Sequence, residues 1–332
     1  MFQASEKRYD KMKYSRCGKS GLKLPVISLG FWHNFGDRSN FDTMRQIILT
    51  AFDHGITHFD LADNYGPENG SAEENFGRMM EHDLGPYRDE LIISTKAGCE
   101  MWPGPYGAGG SRKHMVSSLD QSLKRMRLDY VDIFYHHCMD PETPVEESME
   151  ALAWAVKSGK ALYAGISNYD VEHAKQATEI LKELKCPFVL NQNSYSIMNR
   201  RIEKNGLKQF AAENGYGLIA FKPLEQGLLT DKYLNGIPDD CRIRRDGRFL
   251  KESVLTQERL SQIQALNEIA ERRGQTLAQM ALSWVLKDGE VTSVLIGASR
   301  PEQILDNLGI LHSRDFTACE LEEIEKVVNQ RG

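Results

Sequence analysis

Residues 55–66 read Gly55-Ile-Thr-His-Phe-Asp60-Leu-Ala-Asp-Asn-Tyr65-Gly66: a short strand-like run, Thr57 to Asp60, ends on a carboxylate and is followed five residues later by a phenol. Two further segments repeat this layout. Leu91-Ile-Ile-Ser-Thr-Lys96 ends an apolar run on an amine, and Val131-Asp-Ile-Phe-Tyr-His-His137 ends another on an imidazole. Ionisable groups placed just after successive apolar runs are expected where an active site is assembled from the carboxyl ends of several parallel strands. Outward from these segments, the same alternation of apolar run and helical periodicity continues along the chain. The candidate strands are Val26 to Leu29, Thr57 to Asp60, Leu91 to Thr95, Val131 to Tyr135, Tyr163 to Ile166, Phe188 to Leu190, Gly217 to Phe221 and Ser293 to Ile296. Between them, Met44, Ile47, Ile48, Ala51 and Phe52 fall on one helical face, as do Met115, Leu119, Leu123 and Met126. Thr256 and Thr276 are placed to cap helices.

Eight strands are the count for a closed barrel. A doubly wound sheet with a second domain would also alternate strand and helix. However, the polar residues follow apolar runs along the whole length, no linker or repeat divides the chain, and no GxGxxG follows the first strand. The expectation is therefore an α/β fold, a (β/α)8 TIM barrel formed as a single domain over residues 1–332, with long loops at its carboxyl face. Met12 to Leu24, with Gly18 and Gly21 between short apolar stretches, predicts a hairpin closing the barrel bottom. Leu234 to Ser253 reads as an excursion before the last strand; Arg242, Arg244, Arg245, Arg248 and Lys251 make it basic, which fits a solvated loop better than a substrate contact.

Composition narrows the function. The chain has 332 residues, 41% hydrophobic, with a formal charge of −6. That balance offers no electrostatic footprint for nucleic acid. No apolar stretch approaches the roughly 20 residues of a membrane span, and the charged amino terminus lacks a signal core, so a cytoplasmic protein is expected. The six cysteines are scattered without a CxxC pair, which predicts reduced thiols rather than a zinc site or a disulfide framework. His136, His137, Cys138 and Asp140 lie close in sequence, but neighbouring strand residues face opposite sides, so no metal site is expected from them.

Taken singly, Asp60, Tyr65, Lys96 and His137 each have an ordinary structural reading as turn, packing or strand-end residues. Together they solve one chemical problem. A carbonyl that receives hydride develops negative charge on oxygen and needs a proton, yet a free tyrosine, with a pKa of about 10, is a poor acid at neutral pH. A lysine cation would stabilise the phenolate, a carboxylate would hold the lysine, and a histidine could hydrogen-bond the carbonyl oxygen.

The segments FDLADNYG, ISTKAG and IFYHH resemble the catalytic motifs of the aldo-keto reductase superfamily, and the likeness spans nearly the whole chain. GFWHNFG and KAGCEMWPGPYGAGGSRK resemble in particular the bacterial glyceraldehyde-3-phosphate and methylglyoxal reductase group, a branch related to potassium-channel beta subunits. This resemblance implies a catalytic group of Asp60, Tyr65, Lys96 and His137, with His136 the lesser candidate. It implies an NADPH/NADP+ site drawn from Trp32, Asp60, Ser167, Asn168, Gln192, Phe221, Lys222, Leu224, Gly297, Ser299, Arg300, Gln303 and Asn307. Ser167, Asn168 and Gln192 would meet the nicotinamide carboxamide, Phe221 would stack on its ring, and Arg300 would clamp the 2′-phosphate where a small-residue turn meets a helix start. Trp32, Tyr65, Trp102 and His137 would line the substrate pocket. The implied substrate is a small aldehyde, a 2-oxoaldehyde or a triose phosphate, with no metal, and a homo-oligomer is compatible with the branch. The alternative is a cofactor-binding regulatory subunit like the channel-associated relatives.

Overall fold

In the computed structural model, residues 2–234, 236–237, 244 and 251–329 are described. The chain begins with an antiparallel hairpin, β1 (Tyr14–Arg16) and β2 (Lys23–Pro25). It then alternates: β3 (Ile27–Gly30), α1 (Phe41–Asp53), β4 (His58–Asp60), α2 (Ser71–Met79), β5 (Ile92–Ala97), α3 (Arg112–Met126), β6 (Val131–His136), α4 (Val145–Lys157), β7 (Ala161–Ser167), α5 (Val171–Glu183), β8 (Phe188–Ser194), β9 (Gly217–Phe221) and β10 (Ser293–Ile296). Strands β3 to β10 pair in parallel, and β10 returns to β3, which closes the barrel. All eight strands of the expected fold are present, with ends displaced by a few residues.

The helices form where the periodicity put them, because each lays one apolar face on the barrel. In α1 the buried residues include Met44, Ile47, Ile48, Ala51 and Phe52, and the Asn40 side chain accepts from the Thr43 amide at its start. In α3 the buried stripe carries Met115, Leu119, Leu123 and Met126. Thr256 and Thr276 both cap helices, and Gln279 completes a reciprocal capping box with Thr276.

The hairpin plugs the barrel floor. Cys17, Leu22 and Leu24 pack with Ile133, Tyr135, Val189, Leu190, Ile219 and Leu295, which point inward from the barrel strands. The outer apolar residues form a second, larger core between strands and helices. Of the basic excursion, Arg244 pairs with Glu252, while Arg242, Arg245 and Arg248 lie outside the described residues. Among the described residues, no helix is long and apolar enough to cross a membrane.

Candidate active site

Strand alternation explains how the polar groups meet. Ser94 and Lys96, two apart on β5, share the inward face, and Asp60 at the end of β4 is in register with Ser94. The three side chains therefore converge inside the mouth. Lys96 Nζ donates to Asp60 Oδ2 at 2.5 Å, to the Leu61 carbonyl at 2.7 Å and to the Tyr65 hydroxyl at 3.3 Å. Both charged side chains are fully buried. The other carboxylate oxygen of Asp60 accepts from Ser94 Oγ at 2.7 Å and Gln192 Nε2 at 3.1 Å. A buried ion pair is tolerated only when its remaining valences are met in this way.

The fourth member arrives from β6. His137 follows the last strand residue, its amide donates to the Ala97 carbonyl at 2.8 Å, and its ring meets the Tyr65 ring edge-on with centroids 5.7 Å apart. Adjacent His136 is directed elsewhere: its Nδ1 lies 2.6 Å from the Tyr169 hydroxyl. The structure thus brings Asp60, Tyr65, Lys96 and His137 together and sets His136 apart.

Burial sets the charges. It pushes the His137 pKa down to about 3, with the Lys96 cation adding to the effect, so the ring is neutral. Burial, the largest influence, would raise Asp60, but the Lys96 charge, His58 and the hydrogen bonds from Lys96 and Ser94 together outweigh it and hold the carboxyl below its usual range. Lys96 is pulled down by burial against the opposing attraction of Asp60. Tyr65 differs from the sequence expectation of a lowered pKa: desolvation, followed by the negative charges of Asp60 and Asp63, raises it well above 10. Asp60 neutralises much of the lysine's field, so the resting phenol is fully protonated.

The cofactor candidates lie around the same mouth. Ser167 ends β7, Gln192 lies in β8 and Phe221 ends β9. Asn168 takes a left-handed φ of 60°, and its Nδ2 donates to the His137 carbonyl at 2.9 Å. Its backbone amide donates to the Gln192 carbonyl at 3.1 Å, which locks the two together. The Lys222 ammonium sits 5.2 Å from the Trp32 ring centre and 5.7 Å from that of Phe221, so these three group at one side. Leu224 is partly buried just beyond them.

After β10, a Cβ added at Gly297 would meet nothing within 4 Å, which leaves the backbone there open to a ligand. The Ser299 amide donates to Gln303 Oε1 at 2.8 Å, Arg300 is exposed, and Asn307 is buried at the far end of the helix Pro301–Asn307. An open glycine backbone flanked by a solvent-facing guanidinium fits a phosphate-bearing cofactor. Trp102 lies in the loop after β5 with its ring 5.4 Å from that of His114, which anchors it at the rim.

Two features were not anticipated. Cys99 and Cys138 form a disulfide with Cα atoms 6.0 Å apart, in place of the free thiols expected for both. Cys17, Cys186 and Cys319 are free. His137 and Cys138 also converge with Cys99, contrary to the expectation from strand alternation, because β6 ends at His136 and the two residues lie beyond its pleat. The available signal was positional: Cys99 lies three residues past Lys96, Cys138 directly follows His137, and the strands are neighbours. The second feature is a buried polar cluster behind Lys96. Glu73 takes hydrogen bonds from Thr95 Oγ1 at 2.5 Å and Arg125 Nε at 2.8 Å. Asp63 is raised by burial, and then by Glu73, to about 8, against weaker lowering by contacts with Ser118, Arg125 and the Asn64 backbone.

A closed parallel barrel with this carboxyl-end group defines a class of oxidoreductase. The chain belongs to the Aldo/keto reductase family, whose profile matches residues 26–329. It is 57% identical over 326 residues to L-glyceraldehyde 3-phosphate reductase of Escherichia coli strain K12, covering 97% of this chain and 94% of that one. A probable voltage-gated potassium channel subunit beta of Arabidopsis thaliana is 34% identical over 326 residues, covering 96% and 98%. A solved thermostable aldo-keto reductase in complex with the inhibitor epalrestat superposes with a TM-score of 0.74 at 29% identity, covering 95% of this chain and 100% of that one. The protein is thus an enzyme, an oxidoreductase of a family that generally works with a reduced nicotinamide cofactor.

Proposed function

We propose that the protein reduces small aldehydes, with glyceraldehyde 3-phosphate and 2-oxoaldehydes such as methylglyoxal as the favoured substrates, using NADPH. The observation that carries this reading is the Lys96 ammonium held between Asp60 and the Tyr65 hydroxyl, with the neutral His137 ring beside the phenol. The similarity to L-glyceraldehyde 3-phosphate reductase of Escherichia coli supports the substrate class.

When bound, the cofactor supplies the hydride. The chain's own groups manage the oxygen and its proton. The neutral His137 imidazole can donate a hydrogen bond to the substrate carbonyl and orient it. Tyr65, protonated at rest, is the proton donor to that oxygen as negative charge develops, and Lys96 compensates the phenolate left behind. Asp60 holds Lys96 in place. Ser167, Asn168 and Gln192 are assigned to the nicotinamide carboxamide, Phe221 to its ring, and Trp32, Lys222 and Leu224 to the same wall. Gly297, Ser299, Arg300, Gln303 and Asn307 are assigned to the adenosine phosphate end, while Trp32 and Trp102 flank the substrate. Residues 1–332 would act as one domain in the cytoplasm, alone or as a homo-oligomer.

A steady-state screen of glyceraldehyde 3-phosphate, methylglyoxal and aromatic aldehydes with each nicotinamide cofactor tests the proposal. The Arg300 contact with a 2′-phosphate is expected to contribute roughly 1.5 to 3 kcal/mol, about a tenfold to hundredfold preference for NADPH over NADH. Equal affinity for the two cofactors, or an unchanged NADPH affinity in Arg300→Ala, would remove that assignment.

A further inference from the structure

We propose that, once their disulfide is reduced, Cys99 and Cys138 join His137 in a binding site for a soft divalent metal ion such as Zn2+, and that occupancy switches the enzyme off. The block, though not the site, rests on the role proposed above for His137.

Three donors of the kinds zinc prefers meet at this point. The two sulfur atoms and a ring nitrogen of His137 all lie within 4.8 Å of one another. Their backbone is rigidly placed: Ala97 and His136 are in register between β5 and β6, and the Ala97 carbonyl accepts from the His137 amide at 2.8 Å. His137 is only 9% exposed, and its Nδ1 has no hydrogen-bond partner among the described residues. A buried imidazole nitrogen with unmet bonding capacity calls for a ligand. Zinc–sulfur and zinc–nitrogen bonds of about 2.3 and 2.0 Å place tetrahedral donors roughly 3.3 to 3.8 Å apart. Sulfurs freed from their covalent bond can reach that spacing by side-chain rotation, with the Cα atoms still near 6.0 Å apart. Both cysteines are partly exposed, so an ion can enter, and a water can complete the fourth position.

Oxidation state gates the site. In the disulfide neither sulfur has a thiolate to offer. Reduction by two thiols, which end as a disulfide and give up their protons, or by a phosphine, which takes its oxide oxygen from a water that supplies the two protons, delivers two electrons, breaks the sulfur–sulfur bond and leaves two thiols. Metal binding then displaces the two thiol protons. A reducing compartment favours the metal-competent form. Coordination at about 2.0 Å draws the His137 ring towards the two sulfurs, now within 4.8 Å of it, and so away from the position where it would meet a substrate carbonyl beside Tyr65. Zinc binding and catalysis are then mutually exclusive.

The test uses the full-length protein reduced with a water-soluble phosphine, which is then removed. Cobalt(II) titration should give thiolate-to-metal charge-transfer absorption saturating at one equivalent, and zinc should compete it away. Cys99→Ser, Cys138→Ser and His137→Ala should each weaken binding at least tenfold, and reoxidised protein should give no band. Zinc should abolish aldehyde reduction by the wild type with the same midpoint, reversibly on adding a chelator. Cys99→Ser should keep turnover and lose the zinc sensitivity. An undiminished cobalt band in Cys99→Ser or Cys138→Ser, or none in the reduced wild type, would overturn the site. Stoichiometric binding without inhibition would uphold the site, overturn the block and count against the role given to His137.

Discussion

At the scale of single residues, the site depends on charge pairs that burial makes expensive to break. Lys96 and Asp60 are fully buried and, among the described residues, are hydrogen-bonded to each other and to Leu61, Tyr65, Ser94 and Gln192. Lys96→Met keeps the aliphatic stem but leaves the Asp60 carboxylate without its counter-ion. The expected outcome is a loss of about 3 to 5 kcal/mol of stability, read by urea unfolding. Turnover at neutral pH should fall about a hundredfold or more, because the phenolate loses its cation. Wild-type stability together with a wild-type rate would show that Lys96 is peripheral. The four catalytic candidates were legible in the sequence because each ends or follows an apolar run. The pKa of Tyr65 was not, because its direction depends on Asp60 and Asp63 as well as on Lys96, and only packing fixes how those charges balance.

At the scale of elements, the barrel strands were legible from apolar runs and the helices from their buried stripes, since both patterns repeat with the geometry of the backbone. Contacts made beyond the strand ends were not, and the Cys99–Cys138 bond is the clearest case. Close approach between strands was hidden as well. Gly165 on β7 faces Tyr135 on β6, where an added Cβ would come within 2.5 Å of the buried tyrosine ring. Tyr135 is fully buried, and its ring centre lies 5.7 Å from Lys96 Nζ, so it forms part of the floor beneath the candidate catalytic group. Gly165→Ala should therefore destabilise the protein by about 1 to 3 kcal/mol through overpacking. It should also lower turnover by displacing that floor, and a thermal melt beside a rate measurement would check both. A variant matching the wild type in both would mean that the ring can move aside freely.

At the scale of the whole molecule, buried titratable groups set the pH range of the fold. Burial lowers His58 and His136 to about 4 and His137 to about 3, so all three stay neutral in the folded chain. The unfolded chain takes up their protons below about 6.5, and stability is lost as the pH falls through that range. Asp63 acts oppositely: raised to about 8, it binds a proton on folding, and its contribution is lost as the pH rises from about 4 to 8. Between about pH 4 and 6.5 these four groups leave a net of two extra protons on the unfolded chain. Their combined effect on stability is then roughly 2 to 3 kcal/mol per pH unit, falling towards acid. Asp63→Asn should steepen this acid dependence and flatten the curve between pH 7 and 8, measured by urea unfolding across pH. An unchanged profile in Asp63→Asn would place that carboxyl in an ordinary ionised state.

In the proposed mechanism Tyr65 donates the proton while other residues hold the cofactor, and Tyr65→Phe separates the two roles, because the change deletes one oxygen and keeps the ring. Turnover of methylglyoxal or glyceraldehyde 3-phosphate would be measured beside NADPH titration by protein fluorescence, with far-ultraviolet circular dichroism to verify folding. The predicted result is turnover lowered by about 10²- to 10⁴-fold, a barrier roughly 3 to 5 kcal/mol higher, with NADPH affinity retained. Wild-type turnover in the folded variant, or a comparable loss of NADPH binding, would contradict the assignment.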